Sequence, residues 1–341
     1  MAILLPGGAG FIGSHTAVEL LQAGKEIVII DNFSNSKPEV LESIKSITGK
    51  DFPFYEIDYL DQKALEKVFE ENQIEAVMNF AGYKAVGESV KKPIEYYTNN
   101  ISGALVLLDT MRKYGCKTFI FSSSATVYGD PETIPITEEC KTGGTTNPYG
   151  TTKLFIEQIL KDIYTSDPTW DICILRYFNP IGAHKSGLIG ESPQGIPNNL
   201  MPYIVRVANG TLPQLSVFGN DYNTPDGTGV RDYIHVVDLA KGHVLALNKL
   251  EKEKEGLYIY NLGTGKGYSV LDMVKAFEEA TGQQVPYQIA PRRPGDIATC
   301  YADPKKAKEE LDWEAEKNLA DMCRDSWHFI VSQATLTKEN Q

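Results

Sequence analysis

Gly7-Gly8-Ala9-Gly10-Phe11-Ile12-Gly13 follows the apolar run Ile3-Leu4-Leu5 and leads into an amphipathic stretch. Glycines at 8, 10 and 13 fit Gly-x-Gly-x-x-Gly between a strand and a helix, where backbone amides can meet a pyrophosphate. A glycine turn that merely packs a strand on a helix looks the same, so the loop needs support. Asp31 supplies it. It ends the next apolar run, 18 residues beyond Gly13, where a carboxylate accepts from ribose hydroxyls and repels an additional phosphate. NAD is therefore expected rather than NADP. Asp58-Tyr59 closes the following run and suits an adenine edge, although an aspartate opening a loop is more often a turn or helix cap.

Outward from the loop, Ile3-Leu5, Ile27-Ile30, Phe54-Ile57, Ala76-Phe80, Thr118-Phe121 and Asp171-Leu175 read as strands separated by amphipathic helical segments. That alternation predicts a doubly wound parallel α/β sheet of the Rossmann type. Beyond it the texture turns rich in Gly, Pro and Asn, at Asn179 to Pro202 and Phe218 to Gly229, with Asp226-Gly227 reading as a turn. We expect a dinucleotide-binding unit over residues 1–178 and a smaller mixed α/β substrate-binding cap over 179–341, interleaved with it. The charge run Glu251 to Glu255 reads as a solvated helix end.

Asn147-Pro148 predicts a helix start, since asparagine caps orphan amides and proline is preorganised at the first helical position. Tyr149 then lies in the first turn, with Lys153 one turn later on the same face, so the lysine can favour the ionised phenol. Bringing a tyrosine from a pKa of about 10 to near neutrality takes roughly 4 kcal/mol, more than one exposed charge supplies. A second cation is implied, and the oxidised nicotinamide ring is one. Ser122-Ser123-Ser124 follows a strand at its carboxyl end, where open parallel sheets place ligands. Each element alone is commonplace; in this order, serine, tyrosine and lysine read as a site.

The 341 residues carry a net charge of -12, with 42% hydrophobic and 23% charged residues, which disfavours nucleic acid and anionic membranes as partners. Anionic ligands then need local donors. Arg231-Asp232-Tyr233 and Arg292-Arg293-Pro294-Gly295-Asp296 bring cations out of loop texture, as a diphosphate pocket requires. Five scattered cysteines without a Cys-x-x-Cys pair suit a reducing cytoplasm. The opening apolar run is too short for a signal peptide, and no later stretch approaches membrane-spanning length. His15, His184, His235, His243 and His328 lack zinc-ligand spacing, so no metal is expected.

With these residues in hand, the chain resembles the UDP-glucose 4-epimerases of the extended short-chain dehydrogenase/reductase family. The resemblance covers nearly the whole length. It rests on the glycine loop through His15, Asn79 to Ser89, Ser122 to Gly129, Arg176 to Pro180, and Pro197 to Pro202. It implies that Gly7, Gly10, Phe11, Ile12, Gly13, Asp31, Asn32, Asn35, Ser36, Asp58, Tyr59, Phe80, Ala81, Gly82, Lys84, Asn99, Ser124, Tyr149, Lys153 and Phe178 line NAD. It also implies that Ser124, Tyr149, Asn179, Asn199, Leu200, Ser216, Val217, Phe218, Arg231, Tyr233, Arg293, Asp296 and Cys300 meet a UDP-hexose. The catalytic residues would be Ser124, Tyr149 and Lys153, acting in a homodimer built from helices over Pro93 to Tyr114 and Tyr149 to Tyr164.

Two positions depart from the family. Pro6 replaces a threonine and should matter little, because the phosphate contacts come from later amides. Cys300 stands where the family has either a bulky tyrosine or a small residue, which implies room for N-acetylated sugars. Related 4,6-dehydratases carry Asp-Glu after the serine, where this chain has Ala125-Thr126. A plain dehydrogenase would accumulate NADH. A dinucleotide-sensing protein without turnover would not need Ser124, Tyr149 and Lys153 intact.

Overall fold

Strands β1 (Ala2–Pro6), β2 (Glu26–Asp31), β3 (Phe54–Glu56), β4 (Ile74–Asn79), β5 (Thr118–Ser124) and β6 (Asp171–Tyr177) all pair in parallel. They belong to a computed structural model that describes residues 2–339 except 194, 196, 255 and 294, with side chains through residue 335. Helices cover both faces of the sheet, so its strands carry continuous apolar cores rather than an alternating pattern. Along β1, Ile3 and Leu5 enter one core and Leu4 the other, as the two-residue period of a strand dictates.

The later strands are β7 (Asn179–Ile181), β8 (Leu215–Phe218), β9 (Val230–His235), β10 (Leu257–Leu262), β11 (Gly267–Ser269), β12 (Tyr287–Ala290) and β13 (Thr299–Cys300). The main sheet runs β3-β2-β1-β4-β5-β6-β10. Its order reverses between β1 and β4, and the crevice at the carboxyl ends of those strands is where such sheets bind ligands. β10, together with the helix Val236–Lys252 before it, returns from the C-terminal half to close the sheet beside β6. β9 is flanked by β11 and β13 and also pairs with β7, while β8 pairs with β12. A third core, including Ile204, Val217, Phe277 and Met322, lies beneath these cap strands.

The structure extends the sequence reading in two places. β5 continues through Ser124 and β6 through Tyr177. Serine and arginine hide such extensions from a hydrophobicity pattern, yet here their polar atoms are satisfied inside: Ser122 Oγ donates to Asn79 O at 2.6 Å and Ser123 Oγ to Glu157 Oε1 at 2.6 Å. The span Pro93 to Tyr114 is helical in three consecutive pieces, Pro93–Tyr97, a π-helical turn Thr98–Ser102, and Gly103–Lys113. Asp226-Gly227 forms a turn, with Gly227 at φ +79 and Thr228 N donating to Asp226 Oδ1 at 2.8 Å. The helix preceding β10 ends at Lys252, within the charge run, whose Glu255 lies outside the described residues, as does Pro294 of the second basic motif. Among the described residues no helix is long and apolar enough to cross a membrane.

Candidate active site

The glycine loop turns back on itself without room for side chains. Gly7 has φ +72, and a Cβ added to Gly13 would sit 2.5 Å from Gly7 O and 2.8 Å from Gly8 Cα. The helix Phe11–Gln22 starts at Gly10 with no side-chain cap on its first amides and no acid in its first turn, leaving the positive end of its dipole for an anion. Asp31 stands beside it, 9% exposed. Its Oδ2 accepts from Ala9 N at 3.1 Å, while Oδ1 accepts from Phe33 N at 2.9 Å and Ser36 Oγ at 2.8 Å. These donors hold the carboxylate at the rim of a cleft of about 760 Å³. Uncapped amides, a side-chain-free cradle and a fixed carboxylate together fit the phosphates and ribose of NAD.

Of the expected cofactor residues, Gly7, Gly10 to Gly13, Asp31, Asn32, Asn35, Ser36, Tyr59, Phe80 to Gly82, Lys84, Asn99, Tyr149 and Lys153 border this cleft. Asp58, Ser124 and Phe178 are not part of its wall. Asp58 makes the turn that its residue type equally allowed: Oδ1 accepts from Leu60 N at 2.9 Å and Oδ2 from Asn32 Nδ2 at 3.0 Å. Phe178 is buried in a small cluster with Val127, Tyr128 and Ala302. Tyr59 packs its ring where a Cβ on Gly103 would lie 2.2 Å away, and its hydroxyl donates to Asn99 O.

The helix Pro148–Ser166 begins as its cap residue predicts, Asn147 Oδ1 accepting from Gly150 N at 2.9 Å. Tyr149 and Lys153 thereby reach the cleft, and Ser124 comes within hydrogen-bonding reach of the Tyr149 phenol. Burial raises the phenol's pKa, while the Ser124 hydrogen bond and the charge of Lys84 draw it down. Lys153 has a different partner from the one its spacing suggested. Its Nζ donates to Ser122 O at 2.7 Å and lies 4.9 Å over the Phe121 ring and 5.9 Å from the centre of the Tyr149 ring. Burial lowers its pKa to about 8. Lys84 is thus the side-chain cation that draws the phenol down. It is itself held by Glu191 at 2.8 Å.

Sequence reasoning missed several residues at or behind this wall. Glu191 also accepts from Asn199 Nδ2 at 3.0 Å and ties the Rossmann half to the cap. Asn100 fixes the turn at Gly82 and Tyr83, accepting from Tyr83 N at 2.8 Å and donating to Tyr83 O and Thr152 Oγ1. Tyr177 lines the cleft with its hydroxyl on His243 Nε2. Neighbouring asparagines at Asn99-Asn100 were the one available signal.

The expected sugar-nucleotide residues divide. Tyr149 and Asn199 border the cleft. Ser124 ends β5, and the others gather on the cap: Asn179 beside Tyr233 across β7 and β9, Arg231 beside Cys300 across β9 and β13, and Ser216 to Phe218 along β8. Leu200 opens the helix Leu200–Ala208. Arg293 lies 4.9 Å over the Phe218 ring and 2.9 Å from Asp296. Burial pushes Tyr233 up to about 12 against the pull of Arg231 and Arg293, so both cations converge near it. Val217 turns its side chain into the cap core, leaving only its main chain for a ligand.

Residues 4–326 match the GDP-mannose 4,6 dehydratase family. The chain is 65% identical over 329 residues to the UDP-glucose 4-epimerase of Pasteurella multocida (strain Pm70), covering 96% of this chain and 97% of that one. It is similar to the crystal structure of UDP-glucose 4-epimerase from Bifidobacterium longum in complex with NAD+ and UDP, with a TM-score of 0.95 and 57% identity over 98% of this chain and 99% of that one. The UDP-Glc/GlcNAc 4-epimerase of Campylobacter jejuni is more distant, with a TM-score of 0.84 and 33% identity over 97% and 99% of the two chains.

Proposed function

The chain belongs to the UDP-glucose 4-epimerases of the extended short-chain dehydrogenase/reductase family, and from that premise we propose how its residues invert C4. The enzyme interconverts UDP-glucose and UDP-galactose through a 4-keto sugar, using NAD. The observation that carries the residue assignment is the Ser124 hydrogen bond on the phenol of Tyr149, which with Lys153 borders the same cleft as the glycine loop and Asp31. When bound, NAD supplies a positive ring beside the phenol and a reversible acceptor for the C4 hydride.

Tyr149 takes the proton from the sugar 4-hydroxyl and returns it to the same oxygen at the end of the cycle. Ser124 hydrogen-bonds that hydroxyl and helps pass its proton to the Tyr149 phenolate. Lys153, anchored on Ser122 O, would hold the nicotinamide ribose when NAD is bound. Inversion needs hydride on the opposite face, so the hexose must turn while its nucleotide stays fixed. Arg231 and Arg293 clamp the diphosphate through charge-assisted contacts, and the sugar meets fewer, adaptable partners. Elimination of water, the dehydratase reaction, needs an acid after Ser124. Ala125-Thr126 supplies none, Thr126 N instead donating to Ser124 Oγ at 3.3 Å.

Incubation of the purified protein with UDP-galactose and no added cofactor should give UDP-glucose by NMR. Denatured protein should release NAD, identified by mass spectrometry. Absence of both products defeats the assignment. A second expectation concerns Lys84. Removing its charge in Lys84→Met leaves the phenol harder to ionise, so the acid limb of kcat should move to higher pH; an unmoved limb means that Lys84 does not tune Tyr149.

Cys300 lies opposite Arg231 at the substrate strand, and we assign to it the room for N-acetyl groups. UDP-N-acetylglucosamine and UDP-N-acetylgalactosamine should be turned over. Cys300→Tyr should lower that turnover about tenfold or more, since overfilling a packed site costs about 1–3 kcal/mol and 1.4 kcal/mol is about tenfold, while sparing UDP-galactose. Inactivity of both forms on the N-acetylated sugars removes this assignment.

The cofactor-binding half over 1–178, the cap over 179–341, a homodimer and a cytoplasmic location complete the reading. Ile94, Leu105 and Phe155 leave large apolar side chains in solvent on the helices Pro93–Tyr97, Gly103–Lys113 and Pro148–Ser166, which supports pairing of these helices with a second copy. The five thiols are free, which suits a reducing compartment.

A further inference from the structure

Each of the three serines ending β5 engages one residue of the helix Pro148–Ser166. Ser124 reaches the Tyr149 phenol, Ser122 O accepts from Lys153 Nζ at 2.7 Å, and Ser123 Oγ donates to Glu157 Oε1 at 2.6 Å. Residues 149, 153 and 157 are one turn apart, so all three leave the same helix face. Two of them belong to the catalytic set. The third, Glu157, is wholly buried.

The second partner of Glu157 is Arg176, also buried, whose Nε and Nη2 donate to the two carboxylate oxygens at 3.0 and 2.7 Å. Arg176 sits on β6 directly opposite Ser123. Its Nη1 donates to Tyr128 Oη at 2.8 Å, Tyr128 donates to Asn261 Oδ1 on β10 at 2.7 Å, and Asn261 Nδ2 donates to Ile136 O at 2.9 Å. Ile136 pairs with Ala302, two residues beyond Cys300. One connected network therefore joins the catalytic helix to three strands of the sheet and to the edge of the substrate strand.

A buried ion pair is rarely more stabilising than apolar groups of equal volume, because desolvation offsets its attraction. What a forked guanidinium–carboxylate contact adds is geometry, since it fixes distance and plane together. Catalysis is sensitive to such geometry: a misplacement of about 1 Å can lower a rate about a hundredfold.

We propose that Glu157, held by Arg176 and Ser123, is a positioning residue that sets the rotation of the helix so that Tyr149 and Lys153 stand against Ser124 and Ser122. The proposal rests on the assignment of Tyr149 as the base. The test uses the NAD-loaded enzyme with Glu157→Leu and Arg176→Met together, which removes both charges at similar volume, beside Tyr149→Phe in the same assay. The thermal midpoint should stay at or above that of the wild type, KM for UDP-galactose should hold, and kcat should fall about tenfold or more, with the acid limb of its pH profile displaced. Wild-type kcat in the double variant, with Tyr149→Phe inactive, overturns the positioning role alone. Full activity in Tyr149→Phe overturns the assignment beneath it. Activity that drops only in step with the folded, NAD-loaded fraction also refutes the proposal. Should the double variant not fold, Ser123→Ala decides: it keeps the ion pair and removes only the strand-side bond, so a lowered kcat at unchanged KM supports positioning and a wild-type kcat rejects it.

Discussion

Tyr149→Phe should lower kcat by about a hundredfold or more, the ordinary contribution of a positioned general base, while leaving the bound NAD and the KM for UDP-galactose close to wild type. The substitution removes one oxygen and keeps the ring, so the volume packed at the start of the helix Pro148–Ser166 is unchanged. The lost oxygen is the one on which the Ser124 hydrogen bond and the Lys84 charge act. Ser124 remains, with its Oγ also accepting from Thr126 N, but a serine hydroxyl has no basic form near neutral pH and can only relay a proton. Initial rates by NMR on protein of measured NAD content check this. Turnover near the wild-type rate would remove Tyr149 from the chemistry, and a large rise in KM would make it a binding residue instead.

Wild-type kcat should rise with pH through the ionisation of the phenol, because only the deprotonated form accepts a proton. Burial raises that pKa, and Ser124 and Lys84 draw it down. The Lys84–Glu191 pair tempers the help from Lys84, since Glu191 brings a negative charge to the same wall. A positive nicotinamide ring then acts in the direction that Lys84 begins. The deprotonated phenol is most populated when the hydride acceptor is present, which keeps the two halves of the reaction in step.

How much of this was legible in the sequence depended on range. The glycine loop, Asp31 and the Asn147 cap work within a few residues of themselves, and each is found where its local chemistry places it. Tyr149 and Lys153 share a helix face by periodicity alone. The electrostatic partner of Tyr149 was not legible, because Lys84 approaches through the fold, and Lys153 is claimed by a carbonyl on β5. β5 and β6 run past their apolar cores into Ser122 to Ser124 and Arg176 because those polar groups satisfy one another across the sheet, a pairing that no periodicity reports. β10 was hidden for a topological reason: it returns to the main sheet after the chain has already built part of the cap. The cap residues, gathered from β7, β8, β9 and β13, depend on resemblance rather than pattern, since nothing local marks Ser216 or Asn179 as neighbours of a nucleotide.

Gly13→Ala should strip the enzyme of its cofactor. Alanine is the better helix former by up to about 1 kcal/mol, so on propensity alone the change would stabilise the helix Phe11–Gln22. Sterics oppose it more strongly. The new methyl would stand 2.5 Å from Gly7 O, 2.8 Å from Gly8 Cα and 3.1 Å from Gly8 C, all main-chain atoms of the same loop, so no rotamer can relieve the contact. Either the helix start or the loop must move, and both carry the amides that face the pyrophosphate. Overpacking of this kind costs about 1–3 kcal/mol. If it falls on the bound geometry, NAD affinity drops about tenfold to a hundredfold, at about 1.4 kcal/mol per tenfold. The variant should purify with little NAD and recover part of its activity when NAD is added in excess. Gly10→Ala is the comparison: its methyl meets one atom, Gly7 O, at 3.2 Å, which a small shift relieves, so it should keep most of its cofactor. A Gly13→Ala protein that carries as much NAD as Gly10→Ala and turns over UDP-galactose at the wild-type rate would show that the cradle tolerates a side chain, and that the close approach of helix and loop is not what holds the dinucleotide.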